Sequence, residues 1–483
     1  MPEGKKNTYT IVVLQIFILA FAVLIGHSLG KAQVRSNTSD YVKLEMISQA
    51  IDRIKDRYIE ENVDEEKLVY GAIKGMTEAL DDPYSQFMPP DMYKETMDDT
   101  KGKYGGLGIE ISMDLINDYK RLTVGSVFDD TPAYKAGMET GDHIVKIDGE
   151  LTYGISLESA KHRLRGEPGT KVVLTVMRDS QDETIDITVT RGLIRPTTVK
   201  ARMLEGDIGF IRISQFSDTT PKDVDEKLEE FERAKVKGII LDLRMNPGGT
   251  LSAAVDVASD FLKEGQLVVY TKGREEDDYK EFLVESEAPH PWHPLVVLID
   301  QWSASGSEIV VGAIKDHKRG IIVGGEKSTF GKGSVQTIFP MPDGETGLKL
   351  TVANYYTPSG KNINKVGIEP DIKYPGLTLT PSEMKMRSKL RDSETLKEFI
   401  KEAGDDILDR LKRNGKRGEE NPDEQLFRSF IKKLSQEDIV LSENLIKRTI
   451  AMKTQDDADE YEYDPAIRFA INHLRALEVV NNE

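Results

Sequence analysis

The run Gly238-Ile239-Ile240-Leu241-Asp242-Leu243, followed at once by Arg244-Met245-Asn246-Pro247-Gly248-Gly249, decides the fold class. Apolar residues without alternation mark a strand buried on both faces, as in a sheet covered by helices. Outward from it the pattern repeats. Ile208-Gly209-Phe210-Ile211-Arg212-Ile213 reads as a strand and Pro221 to Ala234 as a helix with a polar face. Pro294 to Asp300 and Gly320 to Gly324 read as further buried strands. Strand alternating with helix predicts a layered α/β domain, whose sites gather at the C-terminal ends of its strands. Two short motifs sit directly after such ends: Asn246 to Gly249, and Ser303-Ala304-Ser305-Gly306-Ser307.

The second motif offers three hydroxyls at the mouth of a helix. Ser307-Glu308 suits an N-cap followed by an acidic first turn. That leaves Ser305 on the strand-to-helix turn, where backbone donors converge. The N–H of Gly306, with those of Gly248 and Gly249, can then stabilise an oxyanion, one such donor being worth about 2.7–4 kcal/mol. A serine needs a base. His317, preceded by Asp316, falls some three helical turns away, about 15 Å along the axis, so a Ser-His-Asp triad is not expected. Lys332, between Gly331 and Gly333, is the alternative, provided burial or a nearby cation keeps its amine neutral. Gln336 is close enough in sequence to orient that amine if the flanking glycines turn the chain. The bland alternatives are a serine-rich cap and a solvated loop lysine.

Between about Lys101 and Arg191 the chain changes to short β-type runs, with Asp148-Gly149 as a hairpin turn. Gly105-Gly106-Leu107-Gly108-Ile109, then Thr131-Pro132-Ala133-Tyr134-Lys135-Ala136-Gly137-Met138, then Gly141-Asp142-His143-Ile144 stand in the order of a PDZ domain, which this stretch resembles. The resemblance implies that Gly106, Leu107, Gly108 and Ile109 hold a peptide's C-terminal carboxylate while the peptide adds as a strand.

Asp242 to Gly249, the serine run, Thr329 to Gln336 and Leu348-Lys349-Leu350-Thr351 with Tyr355-Tyr356-Thr357-Pro358-Ser359-Gly360 resemble the carboxyl-terminal processing peptidases, or tail-specific proteases, over about residues 40–375. That resemblance implies a multidomain α/β protein. A layered crotonase/Clp-like protease core would carry an inserted, mostly-β PDZ domain and helical N- and C-terminal arms. It implies Ser305 as nucleophile, Lys332 as general base and Gln336 as its partner. Gly306 stands where the family usually has alanine. Arg165, in the turn beside the PDZ domain, is a candidate for coupling peptide binding to active-site assembly; the alternative is an exposed loop charge. A non-catalytic PDZ scaffold and an enoyl-CoA-hydratase-like enzyme are the competing classes.

With 483 residues, 38% hydrophobic and 31% charged, the chain has room for several cores. Its formal charge of −18 argues against nucleic acid as a partner. Zero cysteines exclude disulfides and thiolate catalysis; no metal or cofactor is expected. Lys5 and Lys6 precede the uncharged run Ile11 to Ile25, which continues to about Gly30. It approaches the roughly 17–25 residues of a membrane span, with its basic side cytoplasmic. An uncleaved single-pass anchor is expected, with the body outside the cytoplasm, periplasmic or extracellular; a cleaved secretory signal is the alternative. The expected layout is a cytoplasmic stub and anchor (1–38), N-terminal helices (39–98), PDZ domain (99–192), protease core (193–375, with part of 39–98) and a C-terminal helical accessory region (376–483). Expected partners are protein or peptide substrates with free C-termini, the membrane, and a second copy in a dimer.

Overall fold

The computed structural model describes residues 38–481 apart from 117–118, 129, 179–182, 286–292, 375–379, 392, 415–421, 455–460 and 462. The apolar segment at 11–30 therefore lies outside the described residues. Among the described residues no helix is long and apolar enough to cross a membrane. The chain divides into two compact units, one ending at Phe87 and one beginning at Met88.

In the first unit, α1 (Thr38–Arg57) and α2 (Glu65–Glu78) follow the helical spacing of their apolar residues. Asp64 caps α2 by accepting from the Lys67 N–H, with Glu65 and Glu66 in the first turn. The stripe on α1 stays exposed: Tyr41, Val42, Met46 and Ile47 all face outward.

The second unit opens with α3 (Pro90–Lys101). A short ladder follows, β1 (Tyr104–Gly106) pairing with β8 (Gly192–Ile194). Between them lie β2 (Ile109–Ile116), β3 (Tyr119–Val127), α4 (Pro132–Lys135), β4 (His143–Ile147), β5 (Glu150–Leu151), α5 (Leu157–Leu164), β6 (Lys171–Met177) and β7 (Ile185–Thr190). Their sheet runs β2-β3-β4-β6-β7, with β5 on β4. Leu122, Val124, Ile144, Leu174 and Val189 fill its core against Ala160 and Leu164 of α5. Asp148 and Gly149 both take positive φ, 49° and 82°, as a two-residue hairpin turn requires.

The central body is built from β9 (Val199–Leu204), β10 (Ile208–Ile213), α6 (Thr220–Ala234), β11 (Gly238–Asp242), α7 (Leu251–Ser259), β12 (Leu267–Gly273), β13 (Lys280–Leu283), β14 (Leu295–Leu298), α8 (Gly306–Asp316), β15 (Ile321–Gly324), β16 (Ser334–Pro340), β17 (Gly347–Tyr356) and β18 (Ile372–Lys373). One sheet is ordered β9-β10-β11-β14-β15-β18, parallel except for β9. Side chains alternate across it. Ile239 and Leu241 face α6, α7 and α8, packing with Leu228, Ala254 and Val310. Ile240, between them, faces the other way with Phe210, Val296 and Leu298. That is why the deciding run is apolar throughout. A second, antiparallel sheet places β17 between β16 and β12, with β13 beyond.

The C-terminal helices α9 (Pro381–Arg391), α10 (Glu394–Ala403), α11 (Ile407–Asn414), α12 (Pro422–Gln436) and α13 (Glu443–Ala451) share a core around Phe399, Phe427 and Phe430. The last helix, α14 (Pro465–Asn481), is not the accessory element expected from the sequence. Its Ile467, Ala470, Ile471 and Leu474 cover the second face of the parallel sheet, against Phe210 and Ile240. Tyr461, just ahead of α14, shares that cover, its ring centroid 4.8 Å from that of Phe210.

Candidate active site

Parallel neighbours β11 and β14 deliver the two motifs side by side. After β11 the chain turns through Met245, a non-glycine at φ 59°, into Asn246. The Asn246 carbonyl accepts from the Ala304 N–H and the Ser307 hydroxyl, both at 3.0 Å. Gly248 is packed against the serine turn so closely that a Cβ there would stand 2.7 Å from Ser305 Cβ and 2.6 Å from the Ala304 carbonyl oxygen. Glycine is obligatory at that approach.

The three hydroxyls separate by environment. Ser303 is buried and donates to the Leu243 carbonyl at 2.9 Å. Ser307 is buried and donates to Asn246. Both are committed to joining the two strand ends. Ser305 is half-buried and is itself the N-cap of α8, so the cap assigned to Ser307 from sequence belongs two residues earlier. Its backbone has φ 52° and ψ −113°, a conformation costing on the order of 1–3 kcal/mol for a non-glycine residue. Such a turn persists only where neighbours over-determine it.

Glu308 is chief among those neighbours. Its carboxylate is fully buried and takes four donors: the Ser305 N–H (2.9 Å), the Lys332 N–H (2.9 Å), the Gly331 N–H (2.8 Å) and the Thr329 hydroxyl (2.6 Å). One oxygen serves both Ser305 and Lys332, so their main-chain nitrogens stand within two hydrogen-bond lengths of each other. Burial pushes the Glu308 carboxyl above its usual range, while the four donors pull the other way. The Tyr355 hydroxyl adds a second clasp, lying between the carbonyl oxygens of Ser305, at 3.1 Å, and Lys332. Sequence reading gave Glu308 only a first-turn dipole role and Tyr355 none; their partners arrive from other elements, and no local pattern announces them.

Lys332 is half-buried. Burial, then the cation of Lys349, holds its amine below the ordinary lysine value, against a smaller opposite pull from Glu308. Its glycine flanks are sterically required: a Cβ on Gly331 would stand 2.9 Å from the Val366 and Gly367 nitrogens, and one on Gly333 2.6 Å from the Asn364 nitrogen. They let the lysine loop press against 364–367 rather than forming the turn expected before Gln336. The register shift falls between Val335 and Gln336 instead. The Gln336 amide nitrogen donates to Ser334 (2.9 Å) and Thr351 (3.1 Å).

Of the three expected oxyanion donors, the Gly248 N–H is already engaged by Asn246 Oδ1 at 2.8 Å. Gly306 lies in the first turn of α8, where N–H groups have no intrahelical acceptor. The exposed Gly249 is its neighbour: a Cβ on Gly306 would stand 3.4 Å from the Gly249 nitrogen.

In the β module, Gly106, Leu107, Gly108 and Ile109 lead into β2, the edge strand, with α5 alongside. Gly108 takes φ 79°. Arg165 follows α5 and is no exposed loop charge. Its guanidinium lies 3.4 Å from Glu95 and from Asp99 of α3 and 4.0 Å from the Tyr104 ring centroid. His317 sits at the far end of α8, bonded to Gln266 and the Leu267 carbonyl.

Comparisons with known proteins identify the family. The pattern of Peptidase family S41 matches residues 207–374, that of the PDZ domain 105–189, and that of the activating protease CtpB N-terminal domain 23–92. A carboxy-terminal-processing protease of Bartonella bacilliformis is 39% identical over 395 residues, covering 79% of this chain and 88% of its own. The carboxy-terminal processing protease CtpB of Bacillus subtilis is 36% identical over 334 residues, 68% of this chain and 67% of its own. Among solved structures, the photosystem II D1 C-terminal processing protease aligns over 68% of this chain and 92% of its own, at 28% identity and a TM-score of 0.41. The matched sequence patterns define a serine peptidase body carrying a PDZ domain. The chain belongs to the carboxy-terminal processing proteases of peptidase family S41.

Proposed function

We propose that this protease cleaves through an acyl-enzyme on Ser305 with Lys332 as general base. The observation that carries the reading is the Glu308 carboxylate bonded to the backbones of both residues. As Ser305 Oγ bonds to the scissile carbonyl carbon, its proton passes to the Lys332 amine. The resulting oxyanion meets the N–H groups of Gly249 and Gly306, with Gly248 supporting the loop through Asn246. Collapse breaks the C–N bond, and the Lys332 ammonium returns the proton to the leaving amine. Water then attacks the ester, giving its proton to Lys332, and the departing Ser305 oxygen takes it back. The Gln336 carboxamide oxygen, left as acceptor while its nitrogen donates to Ser334 and Thr351, orients the amine.

Substrates are flexible or partly unfolded exported proteins. Their C-terminal carboxylate docks at Gly106 to Ile109, the peptide adding to the β2 edge, and Arg165 relays occupancy through α3. The N-terminal apolar segment tethers the body outside the cytoplasm, and the exposed apolar stripe of α1 supports a dimer.

Ser305→Ala and Lys332→Ala are each expected to abolish cleavage of a casein-like substrate while leaving affinity for a C-terminal peptide intact. Retained cleavage by either variant would favour the scaffold reading or a different nucleophile.

A further inference from the structure

Arg244 stands between the deciding strand and the loop carrying Gly248 and Gly249. Its guanidinium is buried and forked onto Asp242, Nε donating at 2.8 Å and the second nitrogen at 2.7 Å. The remaining guanidinium nitrogen reaches across 220 positions to Asp464, 3.2 Å from Oδ1 and 3.0 Å from Oδ2. Asp464 is buried at the head of α14 and caps it, accepting from the Ala466 N–H at 2.9 Å. Arg448 of α13 also lies 3.0 Å from its Oδ2. Burial lifts the Asp464 carboxyl, and Arg244 and Arg448 outweigh that and hold it below the usual range.

A buried ion pair is weak evidence for stability, because desolvation cancels much of the attraction. Its geometry is more telling. Arg244 is followed by Met245 at positive φ and by Asn246, which fixes the Gly248 N–H and accepts from Ala304 and Ser307. The Leu243 carbonyl holds Ser303. A shift at Arg244 therefore reaches the oxyanion loop and the serine turn together.

We infer that Asp464 is a positioning residue for proteolysis: through Arg244, the C-terminal helix sets the oxyanion loop against Ser305, making the C-terminal region part of the catalytic body. The inference rests on the active site proposed above.

The test uses the full chain. Asp464→Asn keeps a good N-cap and removes the charge facing Arg244. Turnover per titrated active site is expected to fall about tenfold to a hundredfold, the scale of a displacement of about 1 Å. KM and C-terminal peptide affinity should stay near parental. Arg244→Lys retains the charge, loses the fork, and serves if the first variant does not fold. Where both fold, the double variant should be no worse than the more impaired single one. Lowered unfolding temperatures with unchanged turnover per active site in the folding variants would overturn the inference, leaving a purely structural pair. Cleavage surviving in Ser305→Ala would instead remove the reading on which it rests.

Discussion

The serine loop and the lysine loop meet at one carboxylate, yet they are built on different terms. Ser305 is placed by regular structure: β14 delivers it, α8 begins on it, and Ser303 and Ser307 tie it to the neighbouring strand end. Lys332 sits outside any regular element. Glu308, Tyr355 and the chain at 364–367 fix its loop. In the proposed mechanism a nucleophile must sit at one point of a strained turn, and a base must in addition be drawn away from its preferred charge. Secondary structure would serve the first demand; burial, which lowers the Lys332 amine, and tertiary contacts would serve the second.

The contrast breaks most completely at Lys332, the proposed base. Lys332→Met should abolish turnover and also stabilise the fold. The folded amine titrates below the unfolded one, at about 10.4, so between those values the unfolded chain binds more protons and stability rises with pH. Below that window the cost of burying the ammonium is fully present. Unfolding midpoints of Lys332→Met should therefore exceed the parent's near neutral pH, with the excess shrinking toward alkaline pH. Activity of the parent should climb as pH rises through the depressed lysine value.

Glu308→Ala comes next, because it releases both loops at once. Its turnover is expected to fall about a hundredfold, as when reacting groups lose registration. Glu308→Gln, keeping shape but facing four donors with an amide, should retain more activity and fold less stably. Tyr355→Phe loosens only the second clasp, and about a tenfold loss of turnover is expected, in line with one or two net hydrogen bonds. Gly306→Ala should be the mildest. Its Cβ would meet Phe216, Ala254 and the Gly249 nitrogen at 3.2, 3.3 and 3.4 Å, contacts that small shifts relieve, so turnover should stay within about threefold.

The same division explains what could be read from the chain. The parallel strands, the serine run and the glycine pair follow local rules, and the PDZ signature is three short pieces in order. Glu308 was visible only as an acidic first turn, since three of its donors lie more than twenty residues downstream. The N-cap was misplaced on Ser307 because propensity alone favours serine without saying which one. The role of α14 was invisible for a plainer reason: its apolar spacing announces a helix with one buried face, and nothing in it names the sheet that face covers.

The central claim is tested most directly by labelling the parent and Lys332→Ala with a serine-directed phosphonate near neutral pH and mapping the adduct by mass spectrometry. A single adduct on Ser305 in the parent, and none formed at a comparable rate in Lys332→Ala, is the predicted result. Attachment at Ser303 or Ser307, or equal labelling of Ser305 in both proteins, would contradict it.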